Sequence, residues 1–94
     1  MKLRYTNQAR ADMESLYKYI ARDNPDTAQG ILERVAAMIG YLPENPALGQ
    51  RGRAPGSLEL LIPSVPFVVV YVLGDKNIDI LAIIHRSRRW PDRI

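Results

Sequence analysis

The stretch PFVVVYVLGDKNIDILAIIHRSRRWPDR, Pro66 to Arg93, decides how the rest of this chain must fold. Its two apolar runs, Phe67 to Leu73 and Ile78 to Ile84, flank Gly74-Asp75-Lys76-Asn77, a turn signal that predicts a β-hairpin with a four-residue loop. Strand alternation sends Phe67, Val69, Tyr71 and Leu73 to one face and Val68, Val70 and Val72 to the other, with Leu81 and Ile83 of the second strand on that second side. Both faces are apolar, so the sheet has to be covered twice. After Ile84 the composition turns basic and aromatic, His85-Arg86-Ser87-Arg88-Arg89-Trp90-Pro91, where a buried strand runs out to solvent.

Working back from the hairpin, Leu58 to Ile62 reads as a preceding strand closed by Pro63-Ser64. Pro43 to Gly56 carries Pro43, Pro46 and Pro55 with Gly49, Gly52 and Gly56 and reads as loop. The apolar stripe Ala28, Ile31, Leu32, Val35, Ile39, Leu42 predicts a helix from Pro25 to about Tyr41, with Asn24 as cap and proline at the first helical position. A second stripe, Ala9, Met13, Leu16, Tyr17, Ile20, predicts a helix from a cap at Thr6 or Asn7 to near Asp23, with Arg10, Asp12, Glu14 and Lys18 on its outward side. Lys2 to Tyr5 alternates and reads as a first strand. The expected fold is α+β, one domain over residues 1–94: an N-terminal strand, an antiparallel two-helix hairpin, and a three-stranded antiparallel meander in one sheet. The helices cover one face. The other is left either to a partner chain or to the chain's own loop and tail.

Composition narrows the function classes. The chain has 94 residues, 47% of them apolar and 24% charged, which suits a small globular domain with a hydrophobic core. There is no cysteine, so disulfides, thiolate metal sites and cysteine nucleophiles are excluded, and one histidine with scattered carboxylates makes no metal site. No cofactor is expected. No signal-peptide pattern opens the chain, and neither hairpin strand approaches the ~18 apolar residues of a membrane span, so a cytoplasmic protein without membrane contact is expected. The net charge is only +3, but Arg86, Arg88, Arg89 and Arg93 crowd one end, which points to an anionic partner there.

Several residues could carry chemistry. His85 beside arginines is suitable material for ribonuclease-like chemistry, with Glu59 as a second acid or base and Arg88 on phosphate; a hydrogen-bonded strand-end histidine is the other reading. Arg51 and Arg53, in a glycine-flanked loop, could present guanidinium groups and backbone amides to phosphate or carboxylate. Arg86, Arg88, Arg89 and Trp90 would suit nucleic acid, as in a small basic nucleic-acid-binding module, and equally an acidic peptide. Trp90 before Pro91 would also serve as a packing lid.

The run DNP at Asp23 to Pro25, L-P-x-x-P-x-L-G-x-x-G-R from Leu42 to Arg53, G-S-L-E-L at Gly56 to Leu60, the P-F-V-V-V-Y strand and the closing I-I-H-R-S-R-R-W-P together resemble the RelE/ParE toxins of type II toxin-antitoxin modules, and the ParE branch more than the RelE branch. The resemblance implies a bacterial toxin neutralised in a hetero-oligomer by a cognate antitoxin, which alone would contact operator DNA. For ParE-like members the implied activity is inhibition of DNA gyrase and so of replication, without bond breaking by the toxin. For RelE-like members it is ribosome-dependent messenger RNA cleavage, typically with a basic central sheet; here those strands are aliphatic. The chain departs from the usual ParE pattern at Leu58, where a basic residue is common, and in the basic residues Arg86 and Arg89. The implied contact residues for target or antitoxin are Arg51, Arg53, Val68, Val70, Val72, His85, Arg86, Arg88, Arg89 and Trp90.

Overall fold

The computed structural model describes residues 1–87, so Arg88, Arg89 and Trp90 lie outside the described residues. In chain order the elements are β1 (Lys2–Tyr5), α1 (Asn7–Ala21), α2 (Pro25–Gly40), β2 (Gln50–Arg51), β3 (Leu58–Leu61), β4 (Phe67–Leu73) and β5 (Asn77–His85). They form one five-stranded sheet ordered β1-β5-β4-β3-β2, with the helices across one face. β1 pairs in parallel with β5, and every other neighbouring pair is antiparallel.

Both helices begin where the capping chemistry places them. The Thr6 hydroxyl oxygen accepts from the Ala9 amide at 3.1 Å, and Asn24 Oδ1 accepts from Thr27 at 3.1 Å ahead of Pro25. Thr6 has a second task. Its hydroxyl proton is shared between the Ile80 and Leu81 carbonyls, at 2.9 and 3.1 Å, so the residue that starts α1 also fastens it to β5 where β1 stops. The apolar stripes then meet the sheet: Ala9, Leu16, Val35, Ile39 and Leu42 are buried against Val69, Tyr71, Ile78, Ile80 and Ile83. The hairpin turn is one residue shorter than expected, because Asn77 already belongs to β5 and its carbonyl accepts from Gly74 at 2.8 Å.

Plain alternation holds along β4 but fails on β5. Val70 faces Ala82 while Tyr71 faces Ile80, so Leu81 is an extra residue, a β-bulge. Past it the side-chain parity reverses: Ile83 packs on the helix side, while Ala82 and Ile84 join Val68 and Val70 on the other. The expected second face of Val68, Val70, Val72, Leu81 and Ile83 is therefore corrected to Val68, Val70, Ala82 and Ile84, with Leu81 partly buried beside them. Nor is this face open. Those four side chains are between 0% and 3% exposed, closed within the single chain, and Val72 is half-buried.

The segment expected as pure loop contains β2, which pairs Gln50 with Glu59 and Arg51 with Leu58. What holds this segment to the sheet is Tyr71. Its buried hydroxyl donates to the Pro46 carbonyl and accepts from the Gly49 amide, both at 2.8 Å. Burial pushes the phenol's pKa up, only partly offset by the Gly49 amide, so the group stays a donor. A Cβ at position 49 would lie 2.8 Å from the Tyr71 ring and 2.9 Å from the Glu59 carbonyl, so only glycine permits this approach.

On the opposite side Asp12 leaves the outward face that its helical position suggests. Its Oδ2 accepts from the Ile83 amide at 3.0 Å, satisfying a backbone donor of β5 beyond the reach of β1.

Two stability changes are expected. Tyr71→Phe strands the Pro46 carbonyl and Gly49 amide and should cost about 1–3 kcal/mol, read as a Tm fall of several degrees by circular dichroism. Asp12→Ala leaves the Ile83 donor unpaired and should destabilise by a similar ~1–3 kcal/mol, with faster hydrogen exchange at Ile83.

Candidate functional site

Two regions gather the chemistry-bearing residues, at opposite ends of the sheet. The first is where β2 ends, β3 begins and β4 ends. Here the chain turns through Gly52 to Ser57, with Gly52 donating to the Ser57 carbonyl at 2.8 Å. Within the turn Arg53 folds back on Glu59: its amide donates to Oε2 at 2.9 Å, Nε to the same oxygen at 3.0 Å, and Nη2 to Oε1 at 3.1 Å. Burial alone would push the Glu59 carboxyl up. The hydrogen bonds from the Arg53 guanidinium and amide, together with its charge, outweigh that and hold Glu59 below the ordinary carboxylate range. Arg53 is raised in turn, chiefly by the same hydrogen bonding. Arg51, two residues earlier at the end of β2, is exposed and makes no ion pair among the described residues. Between them opens a cleft of about 670 Å³ with Leu58 and Leu73 on its apolar side.

The second region surrounds His85, the last residue of β5. Its ring stands edge-on to Phe67, centroids 5.5 Å apart at 77°. Its Nδ1 accepts from the Ser87 amide at 3.2 Å and lies 2.8 Å from the Ser87 hydroxyl, which leaves Nε2 for any outside partner. A smaller cleft of about 270 Å³ lies beside it, lined also by Asp12, Ser15 and Tyr19 of α1 and by Ile83. Asp12 has both oxygens engaged, one by the Ile83 amide and one by the Gln8 side chain at 2.7 Å. Arg86 is exposed next to His85, its amide anchored on the Pro66 carbonyl at 2.8 Å.

His85 and Glu59 are not brought together. Glu59 pairs across the sheet with Val70 and shares its face, whereas His85 lies with Phe67 and Ile83 on the helix side. The carboxylate is also fixed as an anion by Arg53, so it serves the turn and not the histidine. Val68 and Val70 are core residues, unavailable at the surface of this chain. Asp12, Ser15 and Tyr19 were missing from the expected set because helical periodicity alone places no α1 residue beside β5. The one available signal was Tyr19, a large aromatic outside the apolar stripe, and it is 68% exposed. No helix among the described residues is long and apolar enough to cross a membrane.

Comparison with known proteins agrees with this geometry. Residues 3–90 match the family model described as ParE toxin of type II toxin-antitoxin system, parDE. Among curated proteins, Y4kP of Sinorhizobium fredii is 29% identical over 90 residues, spanning 96% of this chain and 93% of that one. Among solved structures, a chain of the chromosomal ParDE toxin-antitoxin system from P. aeruginosa superposes with a TM-score of 0.83 at 25% identity, covering 90% of this chain and 95% of that chain. A chain of the intact E. coli RelBE toxin-antitoxin complex shares the fold, with a TM-score of 0.64 at 15% identity over 94% and 98% of the two chains. With its strand order, its helical hairpin and nearly its whole length matched, this chain belongs to the ParE toxin family of type II toxin-antitoxin systems.

Proposed function

We propose that this chain acts as a ParE-type toxin: it binds DNA gyrase, stalls it on cleaved DNA and so arrests replication, and a cognate antitoxin neutralises it in a hetero-oligomer. The observation that carries the reading is the family match over residues 3–90, on the ParE side of the superfamily. The site chemistry is consistent with it. Cleavage of RNA by attack of its own 2′-hydroxyl needs a base for that hydroxyl, an acid for the leaving 5′-oxygen and cations about the phosphate. The cleft beside His85 is lined by Phe67, Ile83 and Leu16, and its one carboxylate among the described residues, Asp12, is spent on backbone and Gln8. Such a surface suits contact with another protein better than proton transfer. His85 and Arg86 then serve as contact residues at the gyrase-facing end.

Purified chain added to gyrase and supercoiled plasmid should accumulate linear and nicked plasmid, while message on translating ribosomes stays intact. Codon-positioned cuts in message with gyrase unaffected would replace this reading with RNA cleavage. Within the gyrase reading, His85→Ala removes one contact and should weaken inhibition by up to about tenfold, roughly 1.4 kcal/mol, in a dose-response of plasmid cleavage. A complete loss of message cleavage on that substitution would instead mark the histidine as part of a nuclease.

A further inference from the structure

The cleft between Arg51 and Leu73 is far from the His85 end and is not used by the function proposed above. Its composition is specific. Leu58 and Leu73 form an apolar floor, Leu73 with 43% of its surface exposed although it closes a core strand. Ala54 and Pro55 extend that floor along the turn. No acidic side chain lines the cleft among the described residues, and of its two cations Arg53 is held by Glu59 while Arg51 has no counter-ion there. The uncompensated charge is positive, and it stands beside exposed leucine.

We propose that this cleft receives a short acidic segment of the antitoxin, in which a carboxylate meets Arg51 and a neighbouring leucine-sized side chain covers Leu58 and Leu73. The proposal rests on the antitoxin partnership stated above and assigns it a place. Charge and shape select a peptide over other anions. A nucleic-acid backbone carries a phosphate at every step and is gripped by several cations with aromatic rings for its bases, and this lining offers one free arginine and no aromatic ring. A free phosphate would leave the leucines wet. A carboxylate on a peptide supplies the bidentate partner that guanidinium favours and brings apolar neighbours with it. The turn is held ready for this contact. Gly52 and Ser57 close it, Glu59 holds Arg53 within it and Tyr71 fixes the segment that leads into it, so little ordering remains to be done on binding.

The test is isothermal titration calorimetry of the full chain with the full-length product of the adjacent antitoxin gene. Arg51→Glu and Leu73→Asp should each weaken binding about tenfold or more, while Arg51→Lys loses less and Lys76→Glu, on the exposed β4–β5 turn, stays within about twofold. Wild-type affinity should fall as salt rises, and Arg51→Glu should flatten that slope. Both side chains are exposed, so circular dichroism melts should remain native-like. Native-like Arg51→Glu and Leu73→Asp proteins that bind within about twofold of wild type overturn the proposal and leave the antitoxin partnership standing. Failure of the wild-type chain itself to bind removes both. Loss of gyrase inhibition by Arg51→Glu with antitoxin affinity intact would assign the cleft to the target and also overturn it.

Discussion

The extra residue in β5 governs what each side of the sheet carries. β4 and β5 are both apolar on two faces, and in such a pair a one-residue offset exchanges core and surface. With Leu81 bulged, Ile78 and Ile80 share the helix side with Ile83, and Ala82 and Ile84 complete the opposite side with Val68 and Val70. The bulge also marks where β1 gives out. Tyr5 is its last paired residue, opposite Ile80, and from there Thr6 and then Asp12 take over the backbone groups of β5. A strand edge is thus handed from another strand to a helix within a few residues, and His85 emerges at its far end.

Much of this architecture was legible in the sequence because it follows from period and punctuation. The helix stripes, Asn24-Pro25, and the turn at Gly74 located α1, α2 and the hairpin to within a residue or two. The bulge was not legible, since Ile80-Leu81-Ala82-Ile83-Ile84 offers no polar residue to mark which side each position takes. β2 escaped for a different reason: two residues among prolines and glycines have no period to detect. Asp12 was misread because an acidic residue on the polar side of a helix ordinarily points to water.

The site was less legible than the fold. Glu59 next to an arginine-rich turn looked like an acid or base, yet the geometry makes it the counter-ion of Arg53, and because Glu59 is the buried member, removing Arg53 would leave its charge stranded. Val68, Val70 and Val72 of β4 looked like a docking face because no lid could be read for them, yet Val68 and Val70 are core and Val72 is half-buried. By contrast Arg51 and His85 do reach the surface, at opposite ends of the sheet, so the two proposed contacts, with antitoxin and with target, would use separate surfaces. On those proposals a neutralising partner need not imitate the target.

The parallel pairing of β1 with β5 joins positions 75 residues apart, as the Arg4–Asp79 contact records. During synthesis the first strand therefore leaves the ribosome without its neighbour, and waits in water until β5 has been made. Contacts of such long sequence separation form slowly and late. The helical hairpin can gather early, but its apolar stripes have no sheet to cover until β5 arrives. The sheet, and with it the His85 end of β5, is therefore completed only when the last strand joins the first.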